Sequence, residues 1–241
     1  YASSTGTRRS ASCPMPSRAR PLVIELWTSD EAYRRIGRGA HESHCILISD
    51  AKKPDSRERL RVLEATTDGF RIAELGFGTG LNLIATVLAR QASGCIGRLD
   101  FTSFEAHPMP AADMARAHAA FPEIDTLSAE IITNWKEGRR RFSIADVDVD
   151  VITGDAAQTL PRWDGLADAW FLDGFSPTKN PALWSGDILT GIARHTAPGG
   201  TFATYTAAGH VRRALQAAGF QVSRVPGFGT KRHMTRGILT P

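Results

Sequence analysis

From Gly69 onward the chain alternates short apolar runs with segments whose apolar residues recur at helical spacing. That alternation predicts a mostly parallel sheet with helices on both faces. Strands are predicted at 70–75, 99–105, 147–153, 169–173, 201–206, 220–225 and near 235–239, with helices near 82–92, 110–121, 182–195 and 209–218. Valines and aspartates alternate over 146–151, so one face of that strand is buried and the other hydrated, and its aspartates are expected to face solvent.

Ahead of this regular part the pattern differs. Residues 1–21 are Ser, Arg, Ala and Pro in irregular order, with Arg8, Arg9, Arg18 and Arg20 and no acid before Glu25; such a stretch cannot bury enough apolar surface to order itself and is expected to be a disordered tail. Its composition is also that of an organellar transit peptide, but no amphipathic period supports that reading. Residues 22–68 carry two apolar runs, 22–27 and 45–48, and a charged stretch with Leu60 and Leu63 at helical spacing. They are expected to form an N-terminal extension over one rim of a cleft, ahead of a catalytic domain spanning 69–241.

The chain of 241 residues, 42% hydrophobic and 22% charged, is long enough for one domain with a substantial core. Cys13, Cys45 and Cys95 show no C-x-x-C pairing and no His at metal-ligand spacing, so neither a disulfide framework nor a zinc site is indicated. No apolar run reaches membrane-spanning length, and a cytoplasmic location is expected. The net charge of +4 is modest, but the basic residues cluster at Arg139-Arg140-Arg141, Arg212-Arg213 and Lys231-Arg232, as phosphate contacts do. A solvated surface accounts equally well for any single cluster.

Two turns carry the candidate chemistry. Glu74-Leu75-Gly76-Phe77-Gly78-Thr79-Gly80 follows the first strand of the regular part with the spacing G-x-G-x-G; Leu81 occupies the place where dinucleotide enzymes carry their third glycine, which favours S-adenosyl-L-methionine over a nicotinamide cofactor. Glycines here allow a sharp strand-to-helix turn and a close ligand approach, and the following helix directs free N–H groups at a carboxylate. Glu74 is expected to bind the methionine ammonium, Glu105 the ribose hydroxyls and Asp155 the adenine amino group, each lying at the carboxyl end of a strand beside one crevice. The second turn, 173–181, places Asp173 at the same edge, followed by Pro177, Lys179, Asn180 and Pro181. Asp173 is expected to orient an incoming amine rather than act as a strong base, because a carboxylate with a pKa of roughly 4 matches an alkylammonium poorly. Bulk water or a relay then takes the proton.

The segments 74–82, 104–108, 154–156, 168–181 with Trp184, 204–213 and 227–234 resemble, in order, the methyltransferase domain of the tRNA 5-methylaminomethyl-2-thiouridine biosynthesis enzymes. The resemblance implies a class I S-adenosylmethionine-dependent methyltransferase fold of α/β type, Rossmann-like, with a mostly parallel seven-stranded sheet. It implies N-methylation of 5-aminomethyl-2-thiouridine at the tRNA wobble position. Carried over by motif, Glu74, Gly76, Gly78, Gly80, Asn82, Glu105, Asp155 and Ala156 are cofactor residues, and Asp173, Phe175, Lys179 and Asn180 form the active-site loop. Phe175 is expected to stack on the uracil of a splayed wobble base, and Arg212, Arg213, Lys231 and Arg232 to meet phosphates of the anticodon arm. No metal is required.

In that family the domain often precedes a flavin-dependent oxidoreductase domain. The chain is accordingly expected to be a stand-alone methyltransferase or the front half of a longer protein, with the oxidoreductase fused or separate. An N-methyltransferase acting on another amine, in DNA or in a small molecule, and a non-catalytic RNA-binding module remain open alternatives at this point.

Overall fold

The computed structural model describes residues 26–27, 47–48, 69–93, 97–227 and 232–240. The tail at 1–21 and nearly all of the 22–68 extension lie outside the described residues, as does Lys231. Within the extension, Leu26–Trp27 and Leu47–Ile48 pair antiparallel, joining the two apolar runs of that segment.

Among the described residues eight strands form one sheet: β1 (Phe70–Leu75), β2 (Leu99–Glu105), β3 (Arg141–Ile144), β4 (Val147–Thr153), β5 (Ala167–Leu172), β6 (Thr196–Thr204), β7 (Phe220–Pro226) and β8 (His233–Leu239). Their spatial order is β3-β4-β2-β1-β5-β6-β8-β7. The central pairs β4/β2, β2/β1, β1/β5 and β5/β6 are parallel, while β8 runs antiparallel to both β6 and β7. The helices are α1 (Leu81–Ser93), α2 (Ala111–His118), α3 (Asp125–Lys136), α4 (Ala156–Thr159), α5 (Gly186–Arg194) and α6 (Gly209–Ala217).

The expected count of seven strands is corrected to eight. The additional strand, β3, hairpins antiparallel onto β4 through Ala145 and Asp146, both at positive φ (45° and 64°). Two left-handed residues give the mirror-image turn that follows strand twist, a geometry usually signalled by Asn-Gly rather than Ala-Asp. The edge strand also gives the outward aspartates of β4 partners: Arg141 bridges Asp150 at 3.0 Å, and the Ser143 hydroxyl donates to Asp148 at 2.6 Å.

Alternation along β1 splits the core. Phe70 and Ile72 face the layer of α1, α2 and α3, joining Leu83, Ile84, Met114, Ile131 and Trp135; Ala73 and Leu75 face α5 and α6, joining Trp170, Leu172, Ile188, Leu189, Val211 and Leu215. Each large apolar side chain fully buried this way contributes roughly 1.5–3 kcal/mol. The same alternation sends Glu74 into the α1 side, where it is 0% exposed. The chain adds β2 and β4 on one side of β1 and then β5 and β6 on the other, and this reversal of strand order opens a crevice at the carboxyl ends of β1 and β5, where ligands of such sheets bind. At the opposite end a forked Arg71–Asp168 pair, with both bonds 3.1 Å, ties the two strands together. Leu75 pairs with Leu172, so the turns after β1 and β5 leave the sheet at the same level.

Candidate active site

The turns meet. Gly76 adopts φ +89°, and a Cβ there would lie 3.4 Å from the Gly174 Cα, so the β1 turn passes directly against the β5 turn. At Gly78, φ +54°, a Cβ would meet nothing within 4 Å; the missing side chain leaves open space. That space belongs to a cavity of about 360 Å³ lined by Gly76, Gly78, Asn82, Glu105, Asp155, Ala156, Asp173, Phe175 and Asn180, among others. Such a volume lies within the roughly 300–1,000 Å³ of small-molecule sites. Gly80, φ +77°, starts α1 behind the cavity wall.

A polar network runs from Asn82 and Asp173 in the cavity lining to Glu74 and Ser103 behind it. Asn82, 5% exposed in the first turn of α1, donates through Nδ2 to Glu74 Oε1 at 2.7 Å and to Asp173 Oδ2 at 3.0 Å. Ser103, the register partner of Glu74 on β2, donates to Glu74 Oε2 at 2.7 Å. Burial pushes the Glu74 carboxyl up to about 8 against the lowering effect of its hydrogen bonds from Asn82 and Ser103, with Glu105 adding a smaller upward push. Asp173 is raised well above its usual range, first by burial and then by the charge of Glu74. Its Oδ1 and the Oδ1 of Asn82 are enclosed without a hydrogen-bond partner among the described residues.

The expectation for Asp173 rested on an ordinary carboxylate, and its surroundings here differ from that premise. Desolvation brings its carboxyl nearer to the range of an amine, as general bases require. Glu74, in contrast, does not line the cavity, because both of its carboxylate oxygens are engaged from behind.

The other expected cofactor residues are distributed around the cavity. Glu105 is half-buried, accepting from the Gly78 amide at 3.0 Å and the His107 amide at 2.7 Å, so it braces the glycine turn while facing the cavity. Asp155 caps α4, accepting from the Ala157 amide at 2.9 Å through Oδ1. Ala156 is buried in the cavity wall. His118 bonds the Thr79 carbonyl through Nε2 and Ser128 through Nδ1, both at 2.7 Å, and thereby ties α2 and α3 to the glycine turn. No sequence signal singled out Ser103 or His118. Only the β1/β2 register and the packing of α2 bring them here.

In the second loop Phe175 is 53% exposed at the cavity mouth. Asn180 reaches the cavity and also caps the short helix Pro181–Trp184, accepting from the Leu183 amide at 3.3 Å. Lys179 is exposed and stands outside the cavity lining.

Arg212 and Arg213 lie on α6, which follows the carboxyl end of β6; Arg213 is exposed, and Arg212 has an enclosed Nε without a hydrogen-bond partner among the described residues. Arg232 is exposed ahead of β8. The cluster 139–141 is engaged internally: Arg139 pairs with Glu137 at 2.7 Å, Arg140 covers the Trp135 ring at 3.7 Å, and Arg141 holds Asp150. No group of three or more potential metal-ligating side chains occurs among the described residues, and no helix there is long and apolar enough to cross a membrane.

The open space at Gly78, the contact of Gly76 with the second turn, and acids at three strand ends fit S-adenosyl-L-methionine, with a donor-hungry acidic corner beside it.

Comparison with known proteins agrees. The chain is 44% identical over 232 residues to the tRNA 5-methylaminomethyl-2-thiouridine biosynthesis bifunctional protein MnmC of Caulobacter vibrioides, covering 90% of this chain and 38% of that protein. It is 40% identical over 220 residues to the protein of the same name from Aeromonas hydrophila, covering 86% and 32%. The chain thus spans about a third of the length of these relatives. The crystal structure of MNMC2 from Aquifex aeolicus superimposes with a TM-score of 0.57 at 28% identity, covering 75% of this chain and 58% of that one. The family described as S-adenosyl-L-methionine-dependent methyltransferase matches residues 119–240, half of the chain, including the whole second loop. A cavity shaped by the glycine turn, the acids around it and this match have one reading: the chain belongs to the S-adenosyl-L-methionine-dependent methyltransferase family.

Proposed function

We propose that the chain methylates the aminomethyl nitrogen of 5-aminomethyl-2-thiouridine at the wobble position of tRNA, giving 5-methylaminomethyl-2-thiouridine. The observation that carries the reading is the desolvated Asp173 carboxyl in the same cavity as the glycine turn. The names of the MnmC relatives supply the product.

When bound, S-adenosyl-L-methionine supplies a methyl carbon on a sulfonium, whose electron pair stays on sulfur as the new N–C bond forms. Gly76, Gly78, Glu105, Asp155 and Ala156 are the residues proposed to hold it, with Gly80 and Asn82 shaping the turn and helix behind. Asp173 accepts a hydrogen bond from the amine, orients its lone pair and takes the proton that the nitrogen gives up. Burial disfavours the ammonium form of the amine and the carboxylate alike, which draws the two proton affinities together. Asn82 keeps the carboxyl in place from below. Phe175, exposed at the mouth, offers a ring on which a splayed base can stack.

Arg212, Arg213 and Arg232, with Lys231, are proposed contacts for anticodon-arm phosphates, which would place the protein in the cytoplasm with its tRNA. The flavin-dependent oxidoreductase that exposes the amine by removing a carboxymethyl group is proposed as a partner activity, fused or separate. The extension at 22–68 is proposed to cover one rim of the cleft.

The test is incubation of the purified chain with S-adenosyl-L-methionine and tRNA carrying 5-aminomethyl-2-thiouridine, followed by nucleoside mass spectrometry. Conversion to the singly methylated amine is expected. Methylation of fully unmodified tRNA, or of DNA, in its place would overturn the assignment.

A further inference from the structure

Two buried aromatic donors govern the peptide planes that follow Asp173. Tyr205, 9% exposed and next after β6, donates its hydroxyl hydrogen to the Gly174 carbonyl at 2.8 Å. Trp184, 4% exposed, donates Nε1–H to the next carbonyl, that of Phe175, at 2.7 Å. The two rings meet edge to face, centroids 6.5 Å apart. Neither ring lines the cavity, whereas Asp173, Gly174 and Phe175 do. Burial, and then the Asp173 carboxylate, push the Tyr205 phenol up, so it stays protonated as a donor.

A trans peptide is planar, with its C=O and N–H on opposite sides, and no peptide bond here is cis. Two successive carbonyls drawn to one aromatic pair therefore turn the amides of Phe175 and Ser176 away from that pair. Neither amide has a hydrogen-bond partner among the described residues. The loop cannot easily relax from this arrangement, because Leu183 presses on Gly174 where a Cβ would otherwise stand.

Resting on the reading of the substrate given above, we propose that the amides of Phe175 and Ser176 are a donor pair for the ring carbonyl adjacent to the carbon that bears the aminomethyl group, and that Tyr205 and Trp184 are the positioning residues that aim it. On a uracil the amine and this carbonyl project from neighbouring ring carbons. They would thus address neighbouring residues of the loop, the amine Asp173 and the carbonyl the two amides. A cytosine ring carries an amino group at the same place, itself a donor, and leaves both amides unpaired. The site therefore distinguishes the two pyrimidines without any side chain reading the base edge.

The experiment compares anticodon stem-loop RNAs carrying 5-aminomethyluridine or 5-aminomethylcytidine, using the full chain. The uridine RNA is expected to be methylated with kcat/KM on the order of a hundredfold higher, since a site built for an acceptor rejects a donor. Tyr205→Phe keeps the ring but frees the Gly174 carbonyl; it is expected to slow the uridine reaction about tenfold and the cytidine reaction hardly at all, with affinity for S-adenosyl-L-homocysteine changed by less than about twofold. Trp184→Phe carries the same expectation should the first variant fold poorly. Amide NMR of the chain with S-adenosyl-L-homocysteine gives a readout without turnover: the Phe175 and Ser176 protons should move downfield on adding 5-aminomethyluridine and not on adding the cytidine. Methylation of both RNAs at equal rates, an equal loss on both in the variants, or no amide shift would each overturn the proposal. Amide shifts with the uridine but methylation of neither RNA would leave the donor pair standing and reject the functional reading instead.

Discussion

Asn82 donates a 3.0 Å hydrogen bond to Asp173, 91 residues further along the chain, and so fastens the two turns of the cleft to each other from below. The same nitrogen serves Glu74 at 2.7 Å, which makes one amide the shared support of the buried Glu74 carboxyl and the half-buried Asp173 carboxyl. Replacing it by alanine leaves both acids without that donor. Asn82→Ala is expected to lower stability by about 1–3 kcal/mol, the cost of unpaired buried polar groups, and to reduce kcat further because Asp173 is no longer held. Urea unfolding and steady-state methylation measure the two effects.

Asp173→Asn tests the proton acceptor. The amide can still accept from Asn82 but cannot take a proton, so the variant should fold, bind the cofactor as the native chain does, and lose roughly 10²–10⁴-fold in kcat. Calorimetry with S-adenosyl-L-homocysteine beside a methylation assay separates binding from chemistry, and undiminished turnover would refute the role.

Glu105 braces the amides of Gly78 and His107 while facing the cavity. Glu105→Ala removes a charged acceptor that holds the glycine turn, and cofactor affinity should fall about tenfold or more. An unchanged affinity by calorimetry would count against its proposed contact with the ribose.

Glu74 makes stability depend on pH in an unusual direction. Its folded-state value of about 8 lies above its ordinary 4.5, so between those two pH values the unfolded chain releases a proton that the folded chain keeps. Stability should therefore fall as pH rises through that window, be unaffected by this group below it, and level off above it; Asp173, also raised, acts in the same sense. Glu74→Gln can keep its bonds to Asn82 and Ser103 and should flatten the slope, as read from urea midpoints across the window.

At Gly174 a Cβ would fall 1.9 Å from Leu183 Cδ2, and Leu183 itself lines the cavity. Gly174→Ala is expected to push that side chain aside at a cost of about 1–3 kcal/mol and to lower kcat. Leu183→Ala in the same chain should restore much of the loss, whereas additivity of the two changes in a thermal unfolding series would show that they do not clash.

The regular part of the fold was legible because its strands are short apolar runs closed by turn residues. Phe70–Leu75, Leu99–Glu105 and Val147–Thr153 have the bounds that the pattern predicts. Helix α3 escaped, although Leu127, Ile131, Ile132 and Trp135 mark a helical face, because the stretch follows Pro122 in a polar surrounding. β3 escaped because a two-residue Ala-Asp turn carries no glycine to announce it. The helix expected over 182–195 divides into Pro181–Trp184 and α5, since the Ser185 side chain caps a new helix by accepting from the Ile188 amide.

What the sequence determined by itself is what local chemistry encodes: alternation set the faces of each strand, glycine spacing marked the cofactor turn, and the order of motifs pointed to the family. Tertiary structure alone decided which groups share a dielectric. Glu74 is buried behind Asn82 rather than open to the cavity, Asp173 is raised by desolvation rather than left acidic, and Tyr205 reaches the Gly174 carbonyl from another strand. Proton affinity and peptide orientation depend on neighbours brought together by the sheet order, and no stretch of sequence contains those neighbours side by side.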